Sequence, residues 1–235
     1  MGKDLTVHLL HGFLGLPSDW QVWKKVLAQR GWQSAAVNLF SFAQSDDVTL
    51  ASFCDEYVRA YLPDPAVLFG YSMGGRLALE IAKRYPEKVR ALVLASTQLK
   101  SPQEVAERRL WESRWSERFG RDAWEAVCRD WEAQDVFSAT KVLPRVETDF
   151  DRAALARALT AWSVTNQEWS KENFPTHPTL WMFGADDLRM QPSEQFLRGI
   201  SKSAEVFEQP DAGHRFIYEL PEQTVNKILS HLSRL

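Results

Sequence analysis

Three short stretches of this chain carry groups suited to proton transfer and nucleophilic attack. They are Gly70-Tyr71-Ser72-Met73-Gly74, Gly184-Ala185-Asp186-Asp187 and Asp211-Ala212-Gly213-His214. A serine hydroxyl is a weak nucleophile or base unaided. A histidine that takes its proton, held in one tautomer by a carboxylate, makes it reactive. Ser…Asp…His is a chain order in which such sets occur. Of the five histidines, His8 sits inside an apolar run, His177 precedes a proline and His231 falls in a terminal amphipathic stretch. His214 follows an apolar run in a glycine-containing loop, as His11 does, and His214 is the one that comes after the acidic stretch. Ser72, His214 and either Asp186 or Asp187 form the expected set. A fourth stretch, His11-Gly12-Phe13, offers a glycine able to take an unusual backbone angle. The N–H groups of Phe13 and Met73 are the expected donors to a developing oxyanion, and His11 is expected to orient its loop.

These groups need a frame, and the apolar pattern supplies one. Short aliphatic runs at Leu5–Leu10, Ser34–Leu39, Ala66–Phe69, Arg90–Ala95, Thr179–Phe183 and Ala204–Glu208 read as strands. Amphipathic stretches alternate with them at Ser18–Gln29, with Ser18 as its cap, and at Leu50–Tyr61, Gly74–Arg84, Pro192–Ile200 and Pro221–Leu232. Continuous apolar strands alternating with helices imply an α/β fold, a mostly parallel sheet of about six strands covered on both faces. The reactive stretches all fall just after strands, at the carboxyl edge where α/β sheets gather their functional groups. Residues 99–172 break the alternation. They are charged, lack β-branched runs and hold six of the ten tryptophans. The expected division is a core of residues 1–98 and 173–235 and a helical cap of residues 99–172.

Composition narrows the partners. The 235 residues carry 28 Lys and Arg against 31 Asp and Glu, a net charge of −3, so nothing points to nucleic acid. No apolar run reaches the roughly 20 residues of a membrane helix, and no signal peptide is evident. Met1–Thr6 fits a loose myristoylation pattern, discounted because residues 5–10 read as core strand. Cys54 and Cys128 lack metal-ligand spacing and read as reduced thiols. The expectation is a cytoplasmic protein, monomer or homodimer, with no metal or organic cofactor.

The motifs Leu10-His11-Gly12-Phe13, Gly70–Gly75, Gly184–Asp187 and Ala212–His214 resemble those of the α/β-hydrolase superfamily, in its order and over nearly the whole chain. Within it the chain resembles the menaquinone-pathway family of 2-succinyl-6-hydroxy-2,4-cyclohexadiene-1-carboxylate synthases (MenH). That family's G-Y-S-x-G-G-R stands here as residues 70–76. Its cap signature reads Ala106-Glu107-Arg108 followed by Trp115 and Arg118-Phe119, with Asp130-Trp131 and Val136-Phe137 later. The resemblance implies a lyase with an α/β-hydrolase fold, its cap inserted after the strand ending near residue 95. It puts the acid of the set on Asp187, with Asp186 the fallback. It also implies that pyruvate is eliminated from 2-succinyl-5-enolpyruvyl-6-hydroxy-3-cyclohexene-1-carboxylate, Ser72 acting as base through His214. A carboxylesterase with Ser72 as acyl nucleophile is the alternative.

Such a polycarboxylate substrate calls for particular arginines, because residues 98–172 hold nine Arg and three Lys against fourteen Asp and Glu and make no cationic field. Arg76 and Arg108 match the family's substrate-binding arginines. The plainer alternatives are an Arg76–Glu80 surface pair and a solvated helix face for Arg108. Arg145 is the expected third, with Arg152 and Arg157 as rivals. Tyr71, Trp131 and Phe137 are the expected apolar walls, or else ordinary packing. Two departures stand out. Only four residues precede the first strand, where the fold usually starts with a hairpin, so a sheet shortened at that edge is expected. Asn38-Leu39-Phe40-Ser41-Phe42-Ala43 replaces the family's D-x-P-G-H-G beside the site.

Overall fold

The six apolar runs become six strands of one parallel sheet: β1 (Thr6–Leu10), β2 (Gln33–Ala36), β3 (Ala66–Tyr71), β4 (Val89–Ala95), β5 (Thr179–Gly184) and β6 (Glu205–Gln209). This computed structural model describes residues 5–99, 105–138, 140–201, 204–219 and 222–235. Met1–Asp4, and Pro221 as the first residue of the last helix, lie outside them. The strand order is β2-β1-β3-β4-β5-β6, every neighbouring pair parallel. Connections leave β1 toward one edge and β3 toward the other, so a crevice opens between their carboxyl ends.

Alternate side chains divide between two cores, as the pleat requires. Val67, Phe69 and Tyr71 of β3 join Val7, Leu9, Val93 and Met182 on one face. Leu68 joins Leu10, Leu92, Leu94 and Phe183 on the other. All six residues of β3 and of β5 are buried, which explains why their sequences run apolar without alternating. Helices α1 (Gln21–Gln29), α2 (Leu50–Tyr61), α3 (Met73–Arg84), α7 (Gln191–Ile200), α8 (Phe216–Glu219) and α9 (Glu222–Leu232) accompany the sheet. Thr49 caps α2 through Ser52 N–H at 3.0 Å. No such bond forms at Ser18: a 3-10 turn over Pro17–Trp20 precedes α1, and Asp19 secures it by accepting from Leu16 N–H at 2.9 Å.

The second strand stops early. Leu39–Phe42 forms a 3-10 turn, fixed by Asn38 Oδ1 accepting from Phe40 N–H at 3.1 Å. Between β4 and β5 lie α4 (Val105–Arg121), α5 (Trp124–Glu132) and α6 (Arg152–Ala161). Their aromatic side chains pack together: Trp131 stands 5.0 Å from Trp115, 5.4 Å from Phe119 and 5.7 Å from Trp111. Trp131 also meets Phe13 of the β1 loop at 4.8 Å, so this packing reaches the strand ends. No helix among the described residues is long and apolar enough to cross a membrane.

Candidate active site

The turn after β3 leaves no room for side chains beside Ser72. A Cβ on Gly70 would come within 2.5 Å of Gly75 N, and one on Gly74 would strike the Leu10 carbonyl oxygen. Ser72 takes φ 52° and ψ −113°, with its N–H donating to Ala95 O at 2.8 Å. Four non-glycine residues among those described have positive φ: Leu14, Ser72, Ser96 and Asp211. Each follows a strand, β1, β3, β4 or β6, at the same edge of the sheet. Backbone strain of this kind concentrates where the surrounding fold holds a site.

Gly184 brings the two remaining loops together. A Cβ there would strike the Ala212 carbonyl, and Asp186 N–H donates to Ala212 O at 2.9 Å. The Asp186 side chain is exposed, whereas Asp187 is buried and faces His214. His214 Nδ1 lies 2.5 Å from Asp187 Oδ2, and His214 Nε2 lies 3.2 Å from Ser72 Oγ. The carboxylate accepts from Nδ1–H, which leaves Nε2 as acceptor for the serine hydroxyl. Burial lowers the His214 pKa below the usual imidazole value, against the pull of Asp187. Burial of Asp187 opposes ionisation, but the His214 contact outweighs it and its carboxyl titrates below the ordinary range. At neutral pH the geometry is a neutral imidazole held between a carboxylate and a serine.

Met73 opens α3, where a helix N–H has no carbonyl one turn back. Phe13 is the second residue of a turn closed by Gly15 N–H to Gly12 O at 3.0 Å. The positive angle of that turn belongs to Leu14, at φ 55°. Gly12 is needed for space instead, since a Cβ would sit 2.8 Å from Tyr71 Cε1. His11 is fully buried; Leu39 N–H donates to its Nε2 at 3.0 Å, so Nδ1 carries the proton and donates to Gly12 O at 2.9 Å. Burial, partly offset by the Gly12 bond, lowers its pKa to about 4. His11 thus joins the Phe13 turn to the Asn38–Ala43 segment. That segment reaches the site through Phe40, edge-on to Phe13 at 5.9 Å.

A cavity enclosing about 690 Å³ of empty space, mouth included, lies over Ser72 and His214. Arg76, Arg108 and Arg189 line it together with Glu112, Trp131 and Phe137. Arg76 does not pair with Glu80, which binds Arg84 at 3.0 Å; its Nη1 donates to Trp162 O. Burial and then the Arg108 charge lower the Arg76 pKa to about 10, so it remains a cation at neutral pH. Arg108 stacks 4.4 Å over Trp111 and donates from Nε to Glu112 Oε1 at 2.8 Å. Arg189 Nε stands 3.6 Å from Asp187 Oδ1, with its side chain half exposed; partial desolvation lowers its pKa, opposed by Asp187 and aided by Arg108.

The expected third arginine is occupied elsewhere. Arg145 is a bidentate donor to Asp19, at 2.9 and 2.8 Å, with both side chains nearly buried. It borders a smaller lobe beside Ser72 and does not line the larger one. Its rivals are committed too, Arg152 to Phe119 O, Asp122 O and Glu147, Arg157 to Asp46 and Ala43 O. Glu112 and Arg189 were missed. Arg189 had a readable signal, being two residues after the acidic residue of the set. Tyr71 lines only the smaller lobe, its ring 5.4 Å from His214. Trp131 and Phe137 line both, Phe137 edge-on to His214 at 6.0 Å.

The model of the "Alpha/beta hydrolase family" matches residues 9–227. With the fold and the strand-end loops already in place, the chain belongs to the α/β hydrolase family. It is 30% identical to a Bacillus subtilis protein provisionally named 2-succinyl-6-hydroxy-2,4-cyclohexadiene-1-carboxylate synthase, covering 96% of this chain and 89% of that one. The Salmonella arizonae protein of that name is 29% identical, covering 93% and 90%. Among solved structures it is similar to MenH from S. aureus, with a TM-score of 0.82 and 22% identity over 98% and 94% of the two chains. A carboxylesterase structure from Nitrososphaera gargenis gives 0.80 with 16% identity over 99% and 91%.

Proposed function

We propose that the chain is a carbon–oxygen lyase that eliminates pyruvate from 2-succinyl-5-enolpyruvyl-6-hydroxy-3-cyclohexene-1-carboxylate, the reaction implied by the names of its relatives. The observation that carries this reading is one cavity holding Ser72 and His214 together with Arg76, Arg108 and Arg189. Arg76 forms no ion pair among the described residues, and Arg108 and Arg189 each face a single carboxylate through Nε alone, Glu112 and Asp187; the lining therefore keeps positive charge and guanidinium N–H groups suited to a carboxylate-bearing substrate, since Arg–carboxylate contacts are charge-assisted and directional. Ser72 gives its proton to His214 Nε2 and, as alkoxide, takes a proton from a ring carbon. Phe13 and Met73 N–H groups stabilise the oxygen on which charge develops. The electron pair then expels the enolpyruvyl oxygen, the ring gains a double bond, and pyruvate leaves as its enol form, which tautomerises. His214 gives the proton it took from Ser72 to the departing enolate oxygen, and both residues end as they began. Asp187 holds the imidazole and stabilises its charged form.

An acyl hydrolase would use the same three residues with Ser72 as nucleophile, but it has no need of three arginines. Supplying the enolpyruvyl substrate and following pyruvate release, beside a panel of p-nitrophenyl esters of neutral acids, separates the two. Pyruvate release that disappears in Ser72→Ala supports the lyase. Rapid turnover of the neutral esters without pyruvate release would refute it.

A further inference from the structure

One carboxylate lines the cavity in which anionic groups are expected to bind. Glu112 stands there with Arg76, Arg108 and Arg189, and no other acidic residue among those described does. It is only 2% exposed. An ion pair on a helix surface leaves both partners in water, as Arg121 and Glu117 are on the same helix α4. Taking a carboxylate out of water, beside the carboxylates of a substrate, is unfavourable in itself. Arg108 offsets this through one contact, Nε to Glu112 Oε1 at 2.8 Å. Oε2 accepts no hydrogen bond among the described residues yet is not sealed off, so its lone pairs open to the cavity that Glu112 lines.

A donor and an acceptor therefore stand side by side. Arg108 and Glu112 lie one turn apart on α4, and the Arg108 guanidinium rests 4.4 Å over the Trp111 ring. With Nε committed to Glu112, neither Nη group of Arg108 has a hydrogen-bond partner among the described residues. A carboxylate that binds these Nη groups has the Glu112 acceptor as its neighbour. The ligand group that meets this acceptor must carry a hydrogen. An ammonium is opposed by the three guanidinium charges of the same cavity, and a second carboxylate is repelled by Glu112 itself. A neutral hydroxyl meets neither objection.

We infer that Arg108 and Glu112 together select a hydroxyl on the ring atom next to a carboxylate: the carboxylate binds Arg108, and the hydroxyl donates to Glu112 Oε2. The inference rests on the arginine cavity holding carboxylates, as proposed above, and not on pyruvate elimination. The proposed substrate has this pattern, its 6-hydroxyl standing beside its 1-carboxylate. Two adjacent contacts also orient the ring. A ring held by one carboxylate can turn about that attachment, whereas a second bond at the next ring atom stops the rotation and keeps one C–H presented to the base. A site built to hydrogen-bond a hydroxyl discriminates against the analogue that lacks it, because its own buried group is then left unpaired.

The test uses the full chain with the cis and trans isomers of 2-hydroxycyclohexane-1-carboxylate and with cyclohexane-1-carboxylate, which lacks the hydroxyl. None of the three offers an ester or a leaving enolpyruvyl group, so ligand-observed NMR reads their dissociation constants directly; pyruvate release from the enolpyruvyl substrate is measured beside them. One hydroxy isomer is expected to bind the parent at least tenfold tighter than cyclohexane-1-carboxylate, the scale of one hydrogen bond to a charged group. In Glu112→Met that preference falls below threefold, while cyclohexane-1-carboxylate binds no more weakly than to the parent, because a repelling charge is gone. Glu112→Gln, which keeps an oxygen for Arg108 Nε, loses preference in the same direction and decides the matter if Glu112→Met does not fold. A parent without the preference, or without binding of any of the three, overturns the inference. So does a preference that survives both variants. Equal weakening of all three ligands overturns it too, since Glu112 would then only brace Arg108. The preference without pyruvate release keeps the inference and removes the lyase; pyruvate release without the preference does the reverse.

Discussion

His214 starts neutral because burial outweighs the attraction of Asp187. Proton transfer from Ser72 needs that neutral form, so activity falls as pH drops and the imidazole protonates. The acid limb of the kcat/KM profile for pyruvate release is expected below pH 6.5, the ordinary imidazole value. An acid limb above pH 7 would contradict the burial argument. The arginines divide by partner. Arg189→Ala is expected to raise KM about tenfold, the scale of one charge-assisted contact, and to lower kcat less. Arg145→Ala should act on stability instead. It leaves Asp19 without its guanidinium partner in a nearly buried setting, at a cost of ~3–5 kcal/mol. Thermal melts beside steady-state kinetics read both. A large KM effect from Arg145→Ala with an unchanged melt would reverse the assignment.

The elements carry the site by close approach of backbones. Gly70 and Gly74 let α3 start against β1 and β3, and Gly184 lets the β5 loop touch the β6 loop. Gly74→Ala drives a methyl into the Leu10 carbonyl, backbone that cannot swing aside. That variant is expected to lose several kcal/mol of stability, in the range of severe overpacking, and to melt far below the parent; a normal melt would show the elbow to be loose. These elements were legible in the sequence because their causes are local. Unbroken apolar runs made buried strands, and glycines marked the turns. The second strand was read too long. Leu39 and Phe40 are apolar as a strand should be, but Asn38 and His11 capture their N–H groups into a turn. The pairing of Arg145 was not legible at all. Its partner is Asp19, 126 residues away, and no local pattern announces such a pair. Gly12 was read rightly as necessary and wrongly as to why: the ring it makes room for lies on β3, beyond any spacing argument.

At the scale of the molecule, the segment between β4 and β5 is fastened to turns at the strand ends by largely buried ion pairs near Ser72 and His214. Arg145–Asp19 lies beside the β1 loop, and Arg215–Glu132 lies next to His214 in sequence. The molecule is also expected to be acid-sensitive. Burial lowers the pKa of His8 and of His11 to about 4. Between pH 6.5 and 4 the unfolded chain therefore binds protons that the folded chain does not. Stability is full above pH 6.5 and is lost as pH falls toward 4. The two groups together remove about 3–4 kcal/mol between pH 7 and pH 5. Urea unfolding at the two pH values measures it, and an unchanged midpoint would contradict the neutral-histidine assignment. The central claim is that Ser72 serves elimination on a carboxylate-rich ring. Its most direct measurement is pyruvate release from the enolpyruvyl substrate by the parent chain, Ser72→Ala and Arg76→Ala. The account predicts release by the parent, loss in Ser72→Ala of ~1000-fold or more, as for removal of a triad member, and a large loss in Arg76→Ala with turnover of short neutral esters retained. Release that survives Ser72→Ala, or no release from the parent, would contradict it.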